Sequence, residues 1–385
     1  MGRPALILAA LAADAAPGKN FRAYKKLETR NGIEQLELRD DLGFGFIFKM
    51  PSKSQFEANL ALERAVVRAL NGNSSQLPFE VREEIGITKD DQGLTGALFT
   101  TISGNEPDLA KLAPGGFSKT LADALAAIHQ LDPNVVRSAG LPEYTAPEIL
   151  HSKVAELDKI ASTGKVPASL LTRWEQALED VSLFRFHPTV IHGGISKDAV
   201  LLDGQRVVGM TDFDLKVSDP AEDLAWIVGG GLASTVEDTL LHYRAARPAA
   251  DENLMQRAAL YSELELGSWL VYCLEQGDEA LIKQAEELIE ELREQQDSGT
   301  LKDLRASSFA GIAAGTALIA EITTPIQQVS SDVEAVEVEV EASITEVEFL
   351  AGGVEEESSL EELGLTTEAI EVAEESKEPN PDELF

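Results

Sequence analysis

The 385-residue chain has a single cysteine, Cys273, so no disulfide can form within it. Such cysteine usage is typical of a reducing compartment and predicts a cytoplasmic protein. Basic residues are also scarce, with 32 Lys and Arg against 67 Asp and Glu, which gives a net charge of −35. Because nucleic-acid binding needs clustered cations that neutralise phosphates, this balance argues against a nucleic-acid partner.

Long apolar runs are missing as well. The longest uncharged stretch towards the C-terminus, residues 306–320, is shorter than the roughly 20 residues of a membrane-spanning helix, so we expect no membrane span. The apolar run near the N-terminus has two interpretations: a signal peptide, or a short packed helix that ends at Pro17-Gly18. Asp14 interrupts this run and favours the packed helix.

The acidic charge is unevenly distributed. From Glu321 onward there are 20 acidic residues and one basic residue. This composition predicts a disordered acidic tail, which either binds a basic protein partner or keeps the chain soluble. We therefore divide the chain into residues 1–103, 104–296 and 297–385. The overall apolar content of 44% is ample for a packed core in the first two parts.

Three strands are predicted early in the first part. Residues 22–30 and 33–39 flank Asn31-Gly32, which is a strong hairpin signal, and residues 44–49 follow as an apolar strand. These strands predict a small antiparallel sheet.

A helix is predicted at residues 55–70, where apolar residues form one stripe and Glu63 lies on that stripe. A carboxylate on a buried face needs a partner, and Lys49 at the end of the preceding strand is the available cation. The two residues either form an ion pair or are separately solvated.

Residues 189–226 carry the densest set of polar motifs. Residues 200–202 and 206–210 are predicted strands, with Asp203-Gly204 as the turn between them. A hairpin brings the residues before its first strand and after its second strand to the same end. Three carboxylates are expected to meet there: Asp198, Asp212 and Asp214.

The order of these motifs resembles that of the aminoglycoside and macrolide phosphotransferases, which are small-molecule kinases. His192-Gly193-Gly194 stands where their catalytic loop has His-Gly-Asp, and residues 199–201 stand where it has Asn, Val or Ile, and Leu. Residues 218–221 and 223–225 match the family's Gly-Asp-Pro-Ala and Asp-Leu-Ala.

The resemblance covers roughly residues 20–295 and implies an α+β, protein-kinase-like two-lobe fold. The small antiparallel-sheet lobe is expected in residues 1–103 and the larger, mostly helical lobe in residues 104–296.

The resemblance also implies a nucleotide site. Lys49 would hold the phosphates of ATP and Glu63 would orient that lysine. Thr100, Thr101 and Ile102 would form the hinge whose backbone binds adenine. The first hairpin has no glycine-rich loop, so its backbone is not expected to cradle phosphates.

For the phosphoryl-transfer site, the resemblance makes Asp212 the ligand of Mg²⁺, with Asp214 as a second candidate. His192 would brace the catalytic loop. Gly194 replaces the family's catalytic aspartate, and Ala199 replaces its metal-binding asparagine. Both functional side chains are therefore lost.

Three further residues are predicted to be structural. Asp219 precedes a proline and is expected to cap a helix at residues 221–228. Asp223 is expected to tie that helix to the histidine loop, and His129 to be a packed, hydrogen-bonded histidine.

Three functions remain open. The first is a pseudoenzyme that binds nucleotide but transfers phosphate poorly. The second is an active ATP-dependent kinase of a small-molecule hydroxyl, in which Asp198 or Asp214 replaces the lost groups. The third is a scaffold that binds no nucleotide and recruits a partner through the acidic tail. The acidic body would suit a cationic small molecule, or its charge serves solubility alone.

Overall fold

The computed structural model describes residues 2–301, 304 and 305, which form two compact units. Unit 1 comprises the chain up to Arg64 together with Arg82–Thr101. Unit 2 comprises Ala65–Val81 and the described chain from Ile102 onward. The predicted acidic tail lies outside the described residues from residue 306 to its end.

Unit 1 is built on a five-stranded antiparallel sheet with the order β1-β2-β3-β5-β4. Its strands are β1 (Phe21–Lys26), β2 (Ile33–Asp40), β3 (Gly45–Pro51), β4 (Glu84–Lys89) and β5 (Thr95–Thr100). The N-terminal segment forms a helix, α1 (Ala5–Ala15), that packs on this sheet. Leu8 of α1 lies fully buried with Leu36 and Phe48 in the core of the unit.

The first hairpin follows directly from the sequence. Asn31 and Gly32 both have positive φ angles, 50° and 75°, as a type I′ turn requires. Arg30 and Ile33 close the turn with two backbone hydrogen bonds of 3.1 and 2.8 Å. Strand β1 itself ends at Lys26, four residues before the predicted end at residue 30.

Strand β4 is not predicted from the sequence, because acidic residues and Gly86 obscure its alternation. The structure explains this glycine. A Cβ at position 86 would collide with the backbone carbonyl of Ala15, so glycine permits α1 to approach the strand.

Helix α2 (Glu57–Asn71) confirms the predicted helix, and Leu60, Val67 and Leu70 on its apolar stripe are buried. The helix begins in unit 1 and ends in unit 2.

Unit 2 is mostly helical. Its described helices are α3 (Gly116–His129), α4 (Asn134–Ser138), α5 (Ala146–Ser162), α6 (Ala168–Glu179), α7 (Ala221–Gly230), α8 (Ala233–Ala246), α9 (Leu254–Gln276) and α10 (Glu279–Asp297). Two short antiparallel pairs complete the unit: β6 (Thr189–Ile191) with β9 (Lys216–Ser218), and β7 (Val200–Asp203) with β8 (Arg206–Met210). None of the described helices is both long and apolar enough to span a lipid bilayer.

The β7–β8 hairpin is confirmed with a small shift of its turn. Asp203 pairs with Arg206, so Gly204 and Gln205 are the turn residues. Gly204 has a φ of 61°, which is the left-handed conformation that the turn requires.

The core of unit 2 contains ionic groups as well as apolar ones. Trp174 is fully buried, and its indole N–H donates to Glu263 at 2.9 Å. Arg173 binds the same carboxylate through Nε and Nη2, at 2.9 and 2.8 Å. These bonds satisfy a buried charge between α6 and α9.

Candidate active site

The open end of the β7–β8 hairpin is joined to the histidine loop by backbone hydrogen bonds. The Thr211 N–H donates to the Ala199 carbonyl at 2.9 Å, and the Asp214 N–H donates to the His192 carbonyl at 2.9 Å. The hairpin therefore fixes the predicted catalytic loop beside the segment that contains Asp212.

His192 is completely buried at the start of this loop. Its Nδ1 accepts a hydrogen bond from the Gly194 N–H at 3.3 Å, and its ring stacks on Phe213 with 4.0 Å between centroids. Burial lowers the pKa of His192, although the charge of Asp223 opposes this effect. The neutral imidazole of His192 thus binds the loop through the backbone N–H of Gly194.

Asp223 connects α7 to the histidine loop, as predicted. Its carboxylate accepts the backbone N–H groups of His192 and Gly193, at 2.7 and 2.8 Å. Its Oδ2 also lies 2.9 Å from Nε2 of His129. Burial would raise the pKa of Asp223, but the hydrogen bond and charge of His129 lower it, so the group is a carboxylate.

His129 continues this network towards α8, and its predicted role as a packed, hydrogen-bonded histidine is confirmed. Its Nδ1 is 2.6 Å from the hydroxyl of Tyr243, which in turn accepts a bond from Arg247 at 2.9 Å. Burial raises the pKa of Tyr243, so the phenol keeps its proton. The phenol can then donate to His129, which leaves the Nε2 proton for Asp223.

Asp212 has an unusual backbone. Its φ is 55°, and among the described residues only Asn31 and Asp212 are non-glycine residues with positive φ. Asn31 is explained by its turn, whereas no turn requires this conformation at Asp212. Such local strain is common where a side chain is held for function. The Asp212 side chain is exposed, and the Thr211 hydroxyl lies 3.4 Å from its Oδ2.

Position 194 is tight, and a side chain there requires a small shift of the neighbouring backbone. A Cβ built on Gly194 would lie 3.2 Å from the Asp212 carbonyl oxygen and 4.0 Å from the Cβ of Asp214. Gly193 differs, because it has a φ of 79° and its Cβ would collide with the Asp214 carbonyl. The backbone therefore demands glycine at 193 but not at 194.

Lys216 on β9 lies beside this loop, because a Cβ built on Gly193 would be 3.2 Å from its Cε. Its Nζ lies 3.0 Å from Asp214 and 3.2 Å from Glu222. Burial would lower the pKa of Lys216, but the two carboxylates raise it. Lys216 is not predicted as a site residue, although its two-residue spacing from Asp214 places both on one side of an extended chain.

Thr211 lies between the backbone of Asp198 and the carboxylate of Asp212, the first predicted metal ligand. The Thr211 hydroxyl is 3.4 Å from both the Asp198 carbonyl and an Asp212 carboxylate oxygen. However, no group of three or more His, Cys, Asp or Glu side chains among the described residues is arranged to hold a metal ion. Any Mg²⁺ here would depend on ligands from outside the protein.

In unit 1, Lys49 and Glu63 form an ion pair. Nζ of Lys49 is 2.7 Å from Oε1 of Glu63, and the lysine side chain is only 8% exposed. The alternative of two separately solvated residues is therefore wrong. The strand end places Lys49 towards α2, and the apolar stripe of α2 turns Glu63 towards the sheet.

Two backbone amides of the predicted hinge residues already form hydrogen bonds within the protein. The Thr100 N–H donates to the Glu83 carbonyl at 3.0 Å, and the Thr101 N–H donates to the Gly45 carbonyl at 3.1 Å. These two amides are thus bound within unit 1, where they hold the end of β5. Ile102, in unit 2, packs against Gly209, which has no side chain to obstruct it.

The predicted cap of α7 needs correction, because the N-cap position is Pro220 rather than Asp219. Asp219 does accept the Ala221 N–H at 2.9 Å, but it is fully buried and also binds Arg257. Nε and Nη2 of Arg257 lie 2.6 and 3.0 Å from its carboxylate, and Tyr261 donates to it at 2.8 Å. Asp219 is thus half of a buried ion pair, which sequence spacing does not reveal.

These features define the class of the protein. A small antiparallel-sheet unit with a lysine–glutamate pair, and a mostly helical unit with a histidine loop and a β hairpin, are the two parts of a protein-kinase-like fold. The predicted fold class is confirmed by solved structures with this fold.

Three similar structures illustrate the match. Macrolide 2′-phosphotransferase type I has 22% sequence identity and a TM-score of 0.60 over 74% of this chain and 95% of its own. Macrolide 2′-phosphotransferase MphH from Brachybacterium faecium, an apoenzyme, has 17% identity and a TM-score of 0.61 over 73% and 95%. The GDP and kanamycin complex of APH(2″)-IIIa has 19% identity and a TM-score of 0.60 over 75% and 99%.

The family model for the phosphotransferase enzyme family (APH) matches residues 32–297, which is more than half of the chain. The chain therefore belongs to this family, and the predicted resemblance is confirmed. A comparison with curated proteins found no match.

Proposed function

We propose that this protein is a nucleotide-binding member of the phosphotransferase family whose phosphoryl transfer is impaired. The supporting observation is a contrast between preserved and lost groups. Lys49, Glu63 and Asp212 are present, whereas Gly194 and Ala199 provide no functional side chain.

Nucleotide binding is supported by the state of Lys49. Its ammonium lies nearly buried beside Glu63, and a lysine ammonium has a positive charge and three N–H donors, which suit a phosphate group. Adenine or guanine would use the carbonyls of Thr100 and Thr101 or the backbone of Ile102, because both threonine amides are bound elsewhere. A similar structure holds GDP, so ATP and GTP are both candidates.

Mg²⁺ fits the residues that remain. Mg²⁺ is commonly bound by one or two carboxylates, with the remaining ligands from nucleotide phosphates and water. Asp212 supplies an exposed carboxylate in a fixed backbone conformation. Bound Mg²⁺ would neutralise phosphate charge. Ala199 is fully buried and supplies no ligand.

Impaired transfer is supported by the lack of a base at position 194. General-base assistance contributes about 10²–10⁴-fold in rate, and glycine cannot provide it. Asp214 is the adjacent carboxylate, but its Oδ2 is paired with Lys216.

Calorimetric titration of the full chain with ATP and with GTP, with and without Mg²⁺, tests nucleotide binding. Saturable binding is expected, and Lys49→Ala is expected to weaken it about 10- to 100-fold through loss of a charged hydrogen-bond donor. Lys53→Ala is the matched control, because Lys53 is an exposed lysine of the same unit. Equal affinity in the wild type and Lys49→Ala would make the nucleotide site wrong.

Asp212→Asn tests the metal ligand in the same titration. The variant is expected to bind nucleotide with little response to Mg²⁺, while Asp203→Asn at the exposed hairpin turn keeps the full response. An unchanged response in Asp212→Asn would remove Asp212 from the metal site.

An active kinase is the second candidate, because the Cβ of Asp214 lies only 4.0 Å from a Cβ at position 194. If Asp214 serves as the base, ATP turnover with hydroxyl acceptors will be measurable and will fall at least 100-fold in Asp214→Asn. If neither the wild type nor Asp214→Asn shows ATP turnover, the result supports the proposal that phosphoryl transfer is impaired.

A further inference from the structure

Strand β1 forms an edge of the sheet of unit 1, since β2 is its only neighbour in the strand order. Among the described residues, no strand pairs with its other side. Edge strands in natural proteins are usually covered or shortened, because their backbone groups can pair with another strand. Strand β1 is six residues long and regular after its first residues.

The outward-facing backbone groups of β1 can be identified from its register. The Leu27 N–H donates to the Gln35 carbonyl at 3.0 Å, so the backbone of residue 27 faces β2. Backbone groups alternate along an antiparallel pair. The N–H groups of Tyr24 and Lys26 therefore face away from β2.

The same strand is locally basic. Its sequence is Phe-Arg-Ala-Tyr-Lys-Lys, and Arg22, Lys25 and Lys26 are exposed. Arg22 and Lys25 form no ion pair within the described residues. Lys26 is paired with Glu34 of β2 at 3.6 Å, so Arg22 and Lys25 are the cations of the strand that can attract a further acidic segment.

The chain itself contains a segment whose acidic charge and strand-like alternation are complementary to β1. Residues 336–341 read Val-Glu-Val-Glu-Val-Glu, which alternates β-branched and acidic residues with the period of a strand. Residues 306–335 precede it, and 30 residues can span up to ~100 Å. Reach is thus no obstacle to contact with any surface of the same molecule.

The charges of the two units favour unit 1 over unit 2 as the binding partner of this acidic segment. Unit 2 has 17 basic and 34 acidic residues up to residue 301, so it repels an acidic segment. Unit 1 is neutral overall and offers a basic edge. Addition of a strand to an open edge gains affinity from main-chain hydrogen bonds, and side-chain charge then fixes the partner.

We propose that residues 336–341 pair in cis with the open edge of β1 and extend the sheet by one strand. The glutamates of the segment lie near Arg22 and Lys25, and its backbone satisfies the outward N–H groups of Tyr24 and Lys26. The basic partner of the acidic tail is then unit 1 of the same chain.

Amide hydrogen exchange on the full chain tests this pairing. The outward amides of β1 are expected to be protected about tenfold or more relative to Val338→Pro, which removes a ladder donor from the segment without changing its charge. Val354→Pro is the matched control, because it makes the same change outside the segment. Equal exchange of β1 in all three proteins would overturn the proposal.

Charge reversal provides a second measurement. Arg22→Glu with Lys25→Glu is expected to remove the protection, and Glu337→Arg with Glu339→Arg in the same chain is expected to restore it. No restoration would refute the pairing with this segment. Protection that disappears on dilution would show a second copy of the chain as the occupant and would overturn pairing in cis.

Discussion

Unit 1 and unit 2 differ both in charge and in what they keep of the family's site. Unit 1 is electrically balanced and retains the Lys49–Glu63 pair, whereas unit 2 has twice as many acidic as basic residues up to residue 301. Unit 2 has Asp212, but glycine and alanine stand at positions 194 and 199, where the resemblance predicts the loss of an aspartate and an asparagine. Nucleotide binding and phosphoryl transfer depend on different residues, so a chain can keep one set and lose the other.

The two site lysines sharpen this contrast. Nζ of Lys49 lies 2.7 Å from Glu63, and Nζ of Lys216 lies 3.0 Å from Asp214 and 3.2 Å from Glu222. A lysine between two carboxylates, such as Lys216, is more than neutralised and attracts an anion such as phosphate only weakly. The proposed function assigns phosphate binding to Lys49 of unit 1, whereas Lys216 of unit 2 pairs with the Asp214 carboxylate.

The largest expected effect comes from restoring the lost groups of unit 2. Gly194→Asp with Ala199→Asn is expected to raise ATP hydrolysis by the full chain about 10²–10⁴-fold, the range of general-base assistance. The Cβ at 194 has to displace its neighbour only slightly, since it meets the Asp212 carbonyl at 3.2 Å.

Gly194→Asn with Ala199→Asn is the matched control for that prediction, because it has the same size without a carboxylate. Phosphate release measured on both variants decides the point. Equal rates would show that the missing base is not what limits transfer.

The second effect concerns buried charge. Arg257→Leu in unit 2 is expected to lower the free energy of unfolding by about 3–5 kcal/mol, because Asp219 is left buried without its partner. Arg64→Leu in unit 1 removes a partly exposed pair with Glu84 and is expected to cost about 1 kcal/mol. Urea unfolding of both variants measures the difference, and similar costs would contradict it.

The third effect separates two neighbouring glycines. Gly193→Ala is expected to destabilise the protein by about 1–3 kcal/mol, because it combines positive φ with a clash against the Asp214 carbonyl. Gly194→Ala is expected to cost less than about 1 kcal/mol. Equal losses of stability in the two variants, measured by thermal unfolding, would show that the backbone requires glycine at position 194 as well as at position 193.

The smallest effect is a dependence on pH. Burial lowers the pKa of His192 below the ordinary histidine value of 6.5, so the unfolded chain binds a proton first as pH falls. The stability due to the neutral histidine is complete above pH 6.5 and decreases below it, by at most about 1.4 kcal/mol per pH unit.

His192→Gln is expected to show a shallower decrease in the free energy of unfolding between pH 7 and pH 5. His151→Gln, which changes an exposed histidine, is expected to keep the slope of the wild type. If the slope is unchanged in His192→Gln, other groups cause the decrease in the free energy of unfolding at acid pH.

Local patterns in the sequence determined much of the fold. Asn31-Gly32 defined a hairpin, the strand alternation defined β7 and β8, and the stripe on α2 turned Glu63 towards Lys49. Each depends on residues that are close in sequence or on a regular period, so the pattern alone contains the information. The roles of these residues in nucleotide binding and the boundaries at 103 and 296 stay predictions.

The tertiary structure alone decided which distant groups meet. Asp219 and Arg257 are 38 residues apart, and Asp223 reaches His129 across 94 residues. The left-handed conformation of Asp212 and the double pairing of Lys216 likewise depend on how the histidine loop, β9 and α7 pack. The sequence by itself determined the family, many of the elements and which residues stand at positions 194 and 199, because these are properties of residue identity and spacing. The partners of the buried charges depend on packing between elements far apart in the chain, which spacing does not encode.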